Sequence, residues 1–98
     1  MTINKTKNGD ALVVALDGRL DTMTAPELEA ELKTALDGVE TLTIDMAKLD
    51  YISSAGLRVL LSTQKVMGRR GGMTLTNVGD AIMEIFDVTG FADILTIV

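Results

Sequence analysis

Apolar positions recur along the chain with two different periods, and each change of period marks the boundary of an element. A polar-alternating stretch over residues 2–7 is separated by Asn8-Gly9 from the apolar run 11–16. An Asn-Gly pair supplies the positive φ angles of a type I′ turn, so the pattern predicts a β-hairpin. Six successive apolar residues in the second strand predict that both its faces are covered, with residues 2–7 as a polar edge. Thr24-Ala25-Pro26-Glu27 reads as a capping box, in which the Thr24 hydroxyl bonds the Glu27 amide and Glu27 reaches back. Ala25, Leu28, Leu32, Ala35 and Leu36 follow at helical spacing until Gly38 ends the helix. Leu42, Ile44 and Met46 then alternate with Thr43 and Asp45, which predicts a strand with one buried face. After a linker, Leu57, Leu60, Leu61, Gln64 and Met67 mark a second helix that ends near residues 68–72. Residues 73–78 read as a short strand, Ala81, Ile82, Ile85 and Phe86 as a short helix closed near Gly90, and residues 94–98 as a terminal strand. This alternation predicts one α/β domain over residues 1–98, with a mixed, mostly parallel four- to five-stranded sheet, an N-terminal β-hairpin and about three crossover helices.

Composition narrows the chemistry. A chain of 98 residues that is 47% hydrophobic supports one core. Its net charge of -5, from 14 acidic against 9 basic residues, argues against direct nucleic-acid binding, which draws on clustered cations. The one basic cluster, Arg69-Arg70 with Lys65 and Arg58 upstream, reads as the solvated end of a helix. There is no cysteine and no histidine, which removes disulfides, thiolate chemistry, the usual zinc ligands and the usual neutral-pH general base. No cofactor or metal is expected. The longest apolar run is far below the roughly 20 residues needed to span a bilayer, and residues 1–7 lack the apolar core of a secretory signal. The expectation is a cytoplasmic protein with no membrane contact.

The polar residues near strand ends and helix starts are Asp17, Asp21, Thr22, Asp45, Asp50, Ser53 and Ser54. Ser54 has no histidine to activate it and lacks the glycine-serine-glycine spacing of a nucleophile elbow. The aspartates read as caps and turn residues, and no glycine-rich stretch ends in the Gly-Lys-Ser/Thr of a phosphate loop. No catalytic residue emerges, so the chain is not expected to be an enzyme. The six methionines, Met67 and Met83 among them, read as core fillers. Ser53 and Ser54 fall at the start of the second helix, where a hydroxyl caps orphan amides. The same helix end favours an anion, so a phosphate on Ser54, adding about -1.5 to -2 charges, is compatible with an intact helix.

The runs "VVALDGRLDTMTAPELEAEL", "LTIDMAKLDYISSAGLRVLL" and "MEIFDVTGFADILTI" resemble the STAS-domain anti-sigma factor antagonists of bacteria over essentially the whole chain. The most specific parts are residues 18–21, Asp45, residues 51–57 and residues 88–91. The resemblance implies a binding module whose partner is an anti-sigma factor that is also a serine kinase. Unphosphorylated antagonist binds the kinase and frees the sigma factor; phosphorylation of one serine breaks the association, and a serine phosphatase resets it. The family motif commonly reads Asp-Ser-Ser/Thr-Gly-Leu, with its first serine as acceptor. Aligned on Gly56-Leu57, that acceptor is Ser54, the aspartate becomes Ser53 and the second hydroxyl becomes Ala55. Asp21 matches an acidic residue near the kinase interface. The implied partner-binding set is Asp21, Thr22, Ser53, Ser54, Gly56 and Leu57.

Two departures bear on this reading. Ser53 replaces a carboxylate beside the acceptor and is itself a competing acceptor, and Ala55 removes a neighbouring hydroxyl. They imply either a different kinase or a site that is no longer phosphorylated. Many members continue past the last strand with another helix, where this sequence stops at Val98, so the resemblance leaves self-association open. The alternative is a constitutive adaptor or scaffold subunit of the same fold, in a signalling or lipid-transport assembly, with Ser54 only capping a helix.

Overall fold

The computed structural model describes all residues from Met1 to Val98. Strand β1 (Thr2–Asn8) and strand β2 (Ala11–Leu20) form the expected hairpin. Asn8 pairs with Ala11, so the two-residue loop is Gly9-Asp10. Of these two only Gly9 has a positive φ, at 65°. That order belongs to a type II′ turn rather than the expected type I′, because Asn8 closes the strand instead of opening the turn.

Helix α1 (Ala25–Ala35) leads to strand β3 (Thr41–Ile52), and helix α2 (Ser54–Met67) leads to strand β4 (Met73–Thr76). The sheet order is β1-β2-β3-β4, with β1 antiparallel and the other three parallel. Parallel neighbours joined by right-handed crossovers, always stepping in the same direction across the sheet, place both connecting helices on one face. Leu12, Val14 and Leu16 of β2, Leu42, Ile44 and Met46 of β3, and Met73 and Leu75 of β4 are buried beneath the helices. The alternate positions Ala15, Thr43, Asp45, Thr74 and Thr76 are only half-buried, and Val13 is 40% exposed. The expectation that both faces of β2 are covered is therefore corrected. The strand alternates in burial although its residue types do not.

Strand β3 is also longer than its sequence pattern suggests. Two register shifts against β2 each leave an extra residue on β3: Ala15 pairs with Asp45 but Asp17 with Lys48, and Gly18 with Leu49 but Arg19 with Tyr51. The inward positions become Met46, Leu49 and Ile52, three residues apart. What read as a linker is bulged strand.

Helix α3 (Asp80–Thr89) ends on Gly90, whose φ of 80° closes the last turn. A single 3-10 turn over Phe91–Asp93 follows. The expected terminal strand is reduced to one parallel bridge, Leu75 with Ile97, in which the Leu75 amide donates to the Thr96 carbonyl at 2.8 Å and the Val98 amide to the Leu75 carbonyl at 3.1 Å. The sheet thus has four strands, at the lower end of the expected range.

Leu28 and Leu32 of α1, Leu60 and Met67 of α2, and Ile82 and Phe86 of α3 close the core over the sheet. Two cations fasten its edges. Lys5 on β1 pairs with Glu31 on α1. Arg70, exposed as expected at the end of α2, also donates from Nη1 to the Leu36 carbonyl at 2.7 Å and the Val39 carbonyl at 2.9 Å. It ties the end of α2 to the turn that closes α1, where the helix dipole favours a cation; the Leu36 carbonyl also accepts the Val39 amide at 3.1 Å.

Candidate functional site

Two chain segments meet at the C-terminal end of β2 and β3. Leu20 is paired with Ile52, and the Ser53 amide donates to the Leu20 carbonyl at 2.9 Å. Ser53 is the single extended residue between strand and helix, with φ -97° and ψ 174°. Its Oγ accepts the Gly56 amide at 3.4 Å and caps α2. Ser54 is the first residue of the helix; its side chain is exposed and takes part in none of the side-chain hydrogen bonds of the molecule. The capping duty assigned to Ser54 therefore falls to Ser53, and the Ser54 hydroxyl is free.

The start of α2 sits hard against the strand ends. A Cβ on Gly56 would lie 2.7 Å from Leu20 Cγ and 2.9 Å from Ile52 Cγ1. Only glycine fits that approach, and the reason is steric proximity rather than φ. Leu57 is buried beside it. Gly56 and Leu57, both expected to contact a partner, are buried under the start of α2.

The facing segment is the turn from Asp21 to Thr24. The expected capping box on Thr24 and Glu27 does not form, since Thr24 has helical backbone angles and makes no side-chain cap bond to the helix. The same reciprocal device occurs one turn earlier. Asp21 Oδ1 accepts the Met23 and Thr24 amides, each at 3.0 Å, while the Thr24 hydroxyl accepts the Asp21 amide at 2.9 Å and donates to the Arg19 carbonyl at 2.7 Å. The Thr24 amide and hydroxyl that the expected box requires are thus already engaged with Asp21 and Arg19, which leaves Glu27 no partner there. The Thr24 amide is the main influence holding the Asp21 carboxyl below its ordinary range, with the Met23 amide, the Thr24 hydroxyl and the Arg19 charge acting in the same direction.

Arg19 is anchored at the rim of this site. Its guanidinium lies 4.4 Å from the centre of the Tyr51 ring, its partner across the strands, and its Nε is 3.9 Å from Asp21 Oδ2. Thr22 is exposed, and Met23 beside it is 85% exposed. Met23 was not singled out in the sequence; its signal is a large apolar residue in a turn, outside the spacing of α1.

Asp45 belongs elsewhere. On the helix-free face of the sheet its Oδ1 accepts Asn77 Nδ2 and the Ala47 amide, each at 3.0 Å. The Asn77 bond, followed by the Ala47 amide, keeps this carboxyl below its ordinary value, and it fastens β3 to the loop after β4, where Asn77 holds a φ of 55°. Asp17 and Asp45 share a shallow depression of about 200 Å³ with Asn4 and Lys48. A groove of about 730 Å³ lies between α1 and α2, lined by Leu32, Leu36, Val59 and Val66 among others. Its residues occupy the middle and far end of α2, up to about 18 Å along the axis from Ser54. No group of three or more acidic, His or Cys side chains is arranged to hold a metal ion, and no helix is long and apolar enough to cross a membrane.

The family model described as "Mlab, STAS domain" matches residues 3–97. BtrV of Bordetella bronchiseptica, which carries the name of an anti-sigma factor antagonist, is 34% identical over 99 residues, covering 99% of this chain and 85% of its own. The crystal structure of an anti-sigma factor antagonist from Mycobacterium paratuberculosis is 26% identical, with a TM-score of 0.88 over 98% of this chain and 83% of that one. The fold is also that of the Bacillus cell fate determinant SpoIIAA in its phosphorylated form, 19% identical, with a TM-score of 0.76 over 99% of this chain and 91% of that one. This chain belongs to the STAS-domain family, among the bacterial members named anti-sigma factor antagonists.

Proposed function

We propose that the chain is an anti-sigma factor antagonist worked by serine phosphorylation. Unphosphorylated, it binds an anti-sigma factor that is also a serine kinase, through Asp21, Thr22, Ser53 and Ser54, with Met23 adding exposed apolar area. Gly56 and Leu57 hold this surface in shape from below. Phosphorylation of Ser54 releases the partner, and a serine phosphatase restores the binding form.

The observation that carries this reading is the division of labour at the start of α2. Ser53 provides the cap, so the exposed Ser54 hydroxyl can be modified without loss of a structural hydrogen bond. The name of BtrV and the phosphorylated form of SpoIIAA support it by analogy. A phosphate brings about -1.5 to -2 charges to a desolvated interface. Burying uncompensated charge costs several kcal/mol, and every 1.4 kcal/mol is about tenfold in affinity, so one modification suffices to empty the complex.

The test is retention of a serine-kinase-like partner from lysate by the wild-type and Ser54→Ala chains and its loss with Ser54→Asp, together with mass spectrometry of Ser54. Ser53 in the acidic position of the motif favours a constitutive adaptor of the same fold instead. On that second reading Ser54→Asp retains the same partner as wild type, and Ser54 carries no phosphate in cells.

A further inference from the structure

Helix α2 carries a second polar group on the face that presents Ser54. Residues four apart on a helix are surface neighbours about 5–6 Å apart at Cβ, and the residue four positions after Ser54 is Arg58, also exposed. The molecule's two ion pairs are Lys5 with Glu31 and Arg19 with Asp21. The cation stacked on a ring is Arg19, and Arg70 is bonded to carbonyls. Arg58 takes part in none of these interactions. The first turn of α2 also has no acidic side chain, although that is where a helix favours negative charge. Next to an unused guanidinium there is a hydroxyl and no anion.

We propose that Arg58 is the counter-charge of a phosphate on Ser54, the two forming a bidentate pair across one turn of α2. The inference rests on the reading of Ser54 as the acceptor. Guanidinium matches the geometry of phosphate oxygens in a way that the point charge of lysine does not. The pair keeps the phosphate on the helix surface and at the same time withdraws Arg58 from any partner. Phosphorylation then changes the surface twice, adding negative charge and removing an available cation.

The test uses chains in which phosphoserine is placed at position 54 during translation, so it does not depend on finding the kinase. The second ionisation of the phosphate is followed by phosphorus NMR in wild-type, Arg58→Ala, Arg58→Lys and Arg19→Ala backgrounds. In the wild-type background the phosphate should titrate below the value of about 6 usual for phosphoserine. Arg58→Ala should raise it by about 0.3 unit or more, from the strength of an i,i+4 ion pair, with Arg58→Lys between the two. Arg19→Ala should leave it unchanged, because that guanidinium is already held by Tyr51 and Asp21. The Arg58 Nε–H resonance of the wild-type chain should shift between the serine and phosphoserine forms, which gives a readout that needs no substitution. Equal phosphate titration in the wild-type and Arg58→Ala chains with an unmoved Arg58 resonance, or a shift with Arg19→Ala and none with Arg58→Ala, would overturn the proposal. A paired phosphate here, with no phosphate on Ser54 in cells, would instead leave Arg58 its role and remove the switch.

Discussion

Replacing Gly56 by alanine tests how the site is held in place. The change brings two opposed effects. In a helix, alanine is favoured over glycine by about 1 kcal/mol. Against this, the new Cβ would meet Leu20 Cγ at 2.7 Å, Ile52 Cγ1 at 2.9 Å and Leu20 Cδ2 at 3.0 Å. Two of these are inner carbons of fully buried side chains rather than flexible tips, so relief requires α2 to back away from the strands. Overpacking of this kind costs about 1–3 kcal/mol. With the upper part of that range set against the helix preference, the net loss is about 1–2 kcal/mol. For a domain of this size that corresponds to a fall in Tm of roughly 5–15 °C. Thermal and urea unfolding followed by circular dichroism measure it directly. Because Leu20 also holds the Ser53 amide, Gly56→Ala should weaken partner retention as well, without changing any exposed side chain. A Gly56→Ala chain as stable as wild type, or more stable, would show that helix propensity wins and that the close approach is not what positions Ser53 and Ser54.

The two serines should separate in stability: Ser53→Ala loses the cap and about 0.5–1 kcal/mol, the low end for a cap bond of 3.4 Å, while Ser54→Ala stays within about 0.5 kcal/mol of wild type in urea melts. Arg70→Ala should cost about 1–2 kcal/mol by the same assay, because the Leu36 and Val39 carbonyls lose a charged donor. Asp45 sets an acid dependence. Its carboxyl is held below the ordinary 3.8 in the folded chain, so its contribution is present above that value and is lost as pH falls through the lower folded one. Melting curves from pH 5 to pH 2 should therefore fall less steeply for Asp45→Asn than for wild type, and parallel curves would remove that role.

The sequence reads well where one physical rule acts alone. The spacing of Leu28, Leu32 and Leu36, and of Leu57, Leu60 and Met67, gives the buried faces of α1 and α2 directly. The hairpin at Gly9 and the helix end at Gly90 follow from residues that accept positive φ. Misreadings arise where two solutions share one pattern. Thr24 with Glu27 is a capping box on paper, but the Thr24 amide and hydroxyl are taken by the turn that starts at Asp21, whose carboxylate reaches two amides. Ser53 and Ser54 are interchangeable as text, while only one can occupy the extended position before α2. Val13 and Ala15 look like core, but successive right-handed crossovers leave their face of the sheet without a helix. The bulges that lengthen β3 erase its period of two, and residues 94–98 find room for a single bridge beside the four-residue β4. Met23 carries no periodic signal at all and becomes conspicuous only when the turn that exposes it is seen.

The central claim is that Ser54, relieved of capping by Ser53, carries a phosphate that decides whether a partner stays bound. The most direct measurement is the affinity of a serine-kinase-like protein recovered in the lysate test for the chain with serine and with phosphoserine at position 54, by isothermal titration calorimetry. The account predicts tight binding to the serine form and a loss of at least a hundredfold, about 2.7 kcal/mol, with phosphoserine. Equal affinity for the two forms would contradict it.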